Sequence, residues 1–176
     1  YVLLNHGTAT LNGIIQQPGG YSSLIENGWQ NGNDNTQRKP SVMTITGGEY
    51  SGGLNTVKND DYGQLTITGG TFSNISQAAV MNWNVAEING GTFEINEGAF
   101  AVVVNGYLND TMDQGKLTIT DGTFTGGTII MQNSNATDIG KVAVSGGTFG
   151  EPVPEDYLDR DGTDNPLYAL QYNSET

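Results

Sequence analysis

Four aromatic residues stand where a ligand could use them. Trp29, Tyr62, Trp83 and Tyr107 fall in segments 28–41, 60–64, 83–84 and 106–116, all rich in Asn, Asp, Gln or Gly. Aromatic faces stack on the apolar faces of sugar rings, and amides and carboxylates bind hydroxyls, so this mixture suits a glycan or a protein partner. The competing reading is that the same rings only cover apolar ends of the elements that carry them.

A second chemistry is suggested by "DRDGTD". Asp159, Asp161 and Asp164 alternate around a glycine, a pattern that lets a short loop turn its oxygens toward calcium, which takes roughly 6–8 oxygen ligands. The loop lacks the later bidentate Glu of a complete calcium loop, and a solvated acidic turn competes with it. Calcium is the one cofactor the sequence suggests.

Catalysis finds little support. Cleavage of acidic polysaccharides needs paired carboxylates with a basic group, or calcium with an arginine base. Arg38 and Arg160 are the only arginines, and neither sits on a repeated strand segment; the lone His6 has no Arg-x-Lys partner downstream. The expectation is a noncatalytic protein.

These residues must be positioned by something, and the sequence states what. "LTITGGTF" at Leu65 returns as "MTITGGEY" at Met43, "AEINGGTF" at Ala86, "LTITDGTF" at Leu117 and "VAVSGGTF" at Val142. Apolar residues alternate with polar ones, which is the period of a strand with one buried face. The Gly-Gly or Asp-Gly pair predicts a corner, after which Thr-Phe begins a second strand with the ring turned inward. Phe72, Phe93, Phe124 and Phe149, with Tyr50, should therefore form a stacked core ladder.

The corner's first residue falls at positions 47, 69, 90, 121 and 146, steps of 22, 21, 31 and 25. A period in the twenties without helical segments predicts a solenoid. A second series supports it: Leu24–Asn27, Thr56–Asn59, Ala79–Asn82, Val102–Asn105 and Ile129–Asn133 are runs that end in asparagine. "TATLNGII" at Thr8 is a decayed first copy. The expected fold is all-β, a single-stranded right-handed parallel β-helix of about six coils. Repeats occupy residues 1–150, and residues 151–176, with two early prolines, form a C-terminal capping region. The excess length between copies falls at one recurrent place, after the asparagine, so the aromatic segments should stack along one edge.

The repeat resembles the glycine-rich "LTINGGTF" β-helical repeats of large surface proteins of Gram-positive, often gut-dwelling, bacteria. The resemblance spans residues 8–149, and "VSGGTFGEPVPEDYL" looks like the way such arrays finish. It implies an extracellular, cell-surface adhesin or carbohydrate-binding module. The alternative is a structural domain of a phage particle, such as a fibre, tailspike or capsid decoration, located in the virion, or a passive spacer.

Composition narrows the partners. The 176 residues carry 19 Asp plus Glu against 6 Lys plus Arg, a formal charge of −13. Nucleic acid and anionic membranes need a basic surface, so neither is expected. No apolar run approaches the roughly 20 residues of a spanning helix, and no membrane insertion is expected. With no cysteine there is no disulfide framework. A start at Tyr1 leads us to expect a mature product or an excised piece, part of a longer chain or assembly.

Overall fold

The computed structural model describes residues 1–29, 39–96, 98–106, 115–132, 142–158 and 171–172. Among these the protein is all-β apart from one short 3-10 turn, and its strands form two parallel sheets. The short-stranded sheet holds β1 (Leu3–Asn5), β3 (Ile25–Asn27), β5 (Asn55–Asn59), β7 (Ala78–Asn82), β9 (Ala101–Asn105) and β11 (Ile130–Gln132) in that spatial order. The long-stranded sheet is built on β2 (Thr8–Gln17), β4 (Ser41–Gly52), β6 (Gly63–Asn74), β8 (Val85–Ile95) and β10 (Lys116–Thr125). It continues through β12 (Val142–Val144) and β13 (Thr148–Phe149), both beside β10, to β14 (Gln171–Tyr172). Consecutive strands from β1 to β11 thus alternate between the sheets, and each return lands beside the previous copy.

Register turns the sequence repeat into columns. Met43, Leu65, Ala86, Leu117 and Val142 are in line, as are Ile45, Ile67, Ile88, Ile119 and Val144. All ten are buried to 5% exposure or less, while Thr68, Thr71, Thr92 and Thr123 face outward. On the other sheet Leu3, Ile25, Val57, Val80, Val103 and Ile130 form the opposing column. The two sets meet in one core.

The aromatic ladder is a stack. Ring centroids from Tyr50 to Phe72, Phe93, Phe124 and Phe149 are 5.1, 4.7, 4.9 and 5.1 Å apart, with interplanar angles of 17, 6, 5 and 11°. Near-parallel rings at this spacing add about 0.5–1.5 kcal/mol per pair to the burial itself.

The Gly-Gly pair differs from the expected corner. Four of the five copies run through it as one continuous strand, with a register shift at the pair between β4 and β6 and between β8 and β10, whereas in the fifth copy the strand breaks there into β12 and β13. A bulge bends a strand without ending it, and the second glycine explains why the bulge tolerates no side chain. Gly122 has φ +134°, and a Cβ there would lie 2.9 Å from the ring of Phe124. The glycine makes room for the stacked ring two residues on.

At one end, Val153 and Tyr157 pack against the core beside the turn at Glu155–Tyr157. At the other, Ala9, Leu11 and Ile15 are only half-buried, although their register partners Met43, Ile45 and Tyr50 are fully so.

Candidate functional site

The edge predicted to carry ligands is fixed by a line of buried amides. Asn5 donates from Nδ2 to Asn27 Oδ1 at 2.7 Å, Asn27 to Asn59 at 2.8 Å, Asn59 to Asn82 at 2.8 Å, and Asn82 to Asn105 at 2.7 Å. Asn105 ends the series on Gln132 Oε1 at 2.9 Å. Every carboxamide points the same way. The same Nδ2 groups also donate to main-chain carbonyls at the starts of long strands, such as Asn59 to Gly63 O at 3.2 Å and, one copy on, to Val85 O at 2.9 Å, and Asn82 to Lys116 O at 2.9 Å. Each asparagine therefore satisfies the turn's buried carbonyls, a need that recurs at every turn.

The residues immediately after each ladder asparagine occupy the edge. His6 succeeds Asn5, Gly28-Trp29 succeed Asn27, Asp60-Asp61-Tyr62 succeed Asn59, and Trp83 succeeds Asn82. The His6 and Trp29 rings stack at 3.8 Å with an interplanar angle of 10°. Trp29 also donates from its main-chain N–H to Asp61 O at 2.9 Å and from Nε1 to Lys39 O at 3.1 Å. Its indole is held by the His6 ring and the Lys39 carbonyl and remains half-buried.

Trp83 is half-buried and packs against Ala78, Met81, Ala101 and Val104 on the outer face of the short-stranded sheet. Lys58 Nζ lies 3.7 Å from its ring centroid, a cation–π contact. Tyr62, also half-buried, has φ +62°, and its carbonyl accepts the N–H of Ser41 at 2.9 Å. The structure thus brings Trp29, Tyr62 and Trp83 to successive turns of one edge. Tyr107 lies outside the described residues, as do Asp159, Asp161 and Asp164.

Beside Trp83 is a group of charges that the sequence reading passed over. Lys58 and Asp60 form an ion pair with Nζ 2.5 Å from Oδ2, their side chains 9% and 0% exposed. Asp60 Oδ1 accepts the main-chain N–H of Asp61 at 2.8 Å. Glu26 is the register partner of Lys58 on the next strand and is fully buried. Neither of its carboxylate oxygens forms a hydrogen bond of good geometry. Burial, foremost, pushes its pKa up to about 7; the Tyr1 hydroxyl and Lys58 pull it down, and Asp60 pushes it further up. Tyr1 in turn is raised to about 12, by burial first and then by Glu26. Tyr1 and Asp60 therefore act on Glu26 as close polar neighbours rather than as formed hydrogen bonds.

The signal for this group lay in the repeat. Glu26 and Lys58 occupy the column that Met81, Val104 and Met131 fill in later copies. Charge at a position that is elsewhere apolar marks a special environment.

A cleft of ≈ 380 Å³ lies apart from this edge, lined by residues 127–130 with Glu151, Pro152 and Pro154. It gathers few polar side chains. No helix among the described residues is long and apolar enough to cross a membrane. No family model, curated protein or solved structure matches the chain.

Proposed function

We propose that the alternation between the two sheets closes into a single-stranded, right-handed parallel β-helix of about six coils, and that this rod is a noncatalytic recognition module. In this reading it belongs to an extracellular bacterial surface protein of the "LTINGGTF" type and binds a glycan along the asparagine-ladder edge. The carrying observation is the ladder itself: it stacks the copies so that the half-buried Trp29, Tyr62 and Trp83 share one edge with the exposed His6. Repeated aromatic and polar groups along one edge suit a repeating polysaccharide, which presents apolar ring faces and hydroxyls in alternation.

A passive spacer or a virion part is the second reading, favoured by one feature. His6 covers a face of Trp29 and Lys58 covers a face of Trp83. The two readings separate on a glycan array probed with the wild-type protein and Trp29→Ala, with and without calcium. Recognition predicts binding to one glycan class that falls at least tenfold in the variant, whose fold is verified by circular dichroism. Absence of binding, or binding indifferent to Trp29, supports the spacer or virion reading.

A further inference from the structure

We propose that the protein forms a two-fold dimer through the free edge of β2, which pairs antiparallel with β2 of a second copy about Asn12. The open edge, its lack of charge and its own residue order carry this inference.

Among the described residues β2 (Thr8–Gln17) pairs on one side only, with β4. The other side of this ten-residue strand leaves N–H and C=O groups free to template a further strand. Proteins ordinarily blunt such an edge with charge, proline or a bulge. No charged residue or proline lies within β2, and at its register shift the extra residue belongs to β4. The core is open here as well. Ala9, Leu11 and Ile15 are half-buried, and among the described residues five of the eight exposed large apolar side chains belong to the first copy: Tyr1, Val2, Leu4, Ile14 and Tyr21.

Charge selects the occupant. Residues 1–25 contain no Asp, Glu, Lys or Arg, whereas the rest of the chain carries all 19 acids and 6 bases of a molecule at −13. Two such copies repel over most of their surfaces and can approach closely at this uncharged end. The opposite end offers no matching edge for head-to-tail stacking. Val153 and Tyr157 cover the core there, and Pro152 and Pro154 have no N–H to give to a ladder. The contact therefore joins like ends, and an interface of this kind closes after two copies instead of growing into a filament.

The residue order of β2 is self-complementary in one register. Ala9, Leu11 and Ile15 pack toward the core, and Thr10, Asn12 and Ile14 face outward. Directly opposed residues of antiparallel strands share a face. A two-fold axis at Asn12 thus sets Ala9 against Ile15, Leu11 against Gly13, and Thr10 against Ile14. Nothing lies within 4 Å of a Cβ position on Gly13, which leaves space for Leu11 of the second copy. Asn12 meets its own counterpart, and two carboxamides can donate to and accept from each other. A register one residue away would set core-facing side chains of one copy against outward-facing ones of the other.

Sedimentation velocity of the purified protein tests this, with Asn12→Asp and Asn12→Lys beside wild type. Asn12 is exposed, so either change spares the fold, verified by circular dichroism, and sets like charges face to face at the axis. Wild type should sediment as a reversible dimer at micromolar concentrations. Each variant alone should associate about fivefold more weakly, as like charges directly opposed on paired strands do. An equimolar mixture of the two variants should recover wild-type association or exceed it. A wild-type protein that stays monomeric up to sub-millimolar concentration overturns the proposal. So does a dimer indifferent to both changes, or one weakened by both and not restored on mixing, since its interface then lies elsewhere.

Discussion

Single residues in this protein act through columns. An asparagine at the end of a short strand is unremarkable alone, but Asn27, Asn59 and Asn82 each donate to and accept from their neighbours in line. Their worth is the avoidance of buried, unpaired carbonyls and amides, which cost about 1–3 kcal/mol each. Glu26 is the opposite case, a buried acid whose folded-state pKa of about 7 stands above the ordinary value of 4.5. Between those pH values the native state keeps a proton that the unfolded chain has released. Stability contributed by Glu26 is therefore fully present below about pH 4.5, falls as pH rises toward 7, and levels off above it. Glu26→Gln should flatten that slope and unfold later than wild type in urea at pH 8, by on the order of 2–3 kcal/mol. An unchanged slope between the two proteins would show that Glu26 does not titrate there.

At the scale of elements, the long strands were legible because their code is local. Alternation of Leu65-Thr66-Ile67-Thr68 gives the buried face, and the repeated Phe gives the stack. The Gly-Gly pair was expected to be a corner in every copy and breaks the strand only in the fifth, since glycine permits a corner and a bulge equally well and only the neighbouring strand decides between them. Gly48 makes the point: with φ +100°, a Cβ on it would lie 2.1 Å from the Gly13 carbonyl oxygen. Gly13 itself has open space around it. Gly48→Ala should therefore push β4 off β2 and cost about 3 kcal/mol or more, as strained backbone and a main-chain clash combine. Gly13→Ala should be neutral or stabilising by up to about 1 kcal/mol, through a less free unfolded chain. Thermal melts of the two variants give this contrast, and equal losses would mean that the register between β2 and β4 is wrong. The charges at Glu26 and Lys58 were passed over for a different reason. A charged residue on a short strand reads as solvent-facing, whereas every residue of β5, β7 and β9 is buried.

On the scale of the whole molecule, each copy contacts the one before and the one after, so the interior copies are best supported. Ala9, Leu11 and Ile15 on β2 lack the cover that their partners on β4 receive. Such a stack is stable roughly as a sum of neighbour terms, and it makes an edge whose length scales with the number of copies. Trp29, Tyr62 and Trp83 each follow a ladder asparagine within three residues, as the sequence repeat led us to expect. That His6 would lie on Trp29 and Lys58 on Trp83 could not be foretold, because both contacts join residues from different copies. The central claim, that this edge is the recognition surface, is tested most directly by titrating the strongest glycan-array ligand into ¹⁵N-labelled protein and mapping the amide shifts. The account predicts shifts concentrated at His6, Trp29, Asp61, Tyr62 and Trp83, with Thr68, Thr92 and Thr123 on the outer face of the long-stranded sheet unmoved. Shifts centred on those threonines or on the Pro152–Pro154 cleft, or no glycan that binds at all, would contradict it.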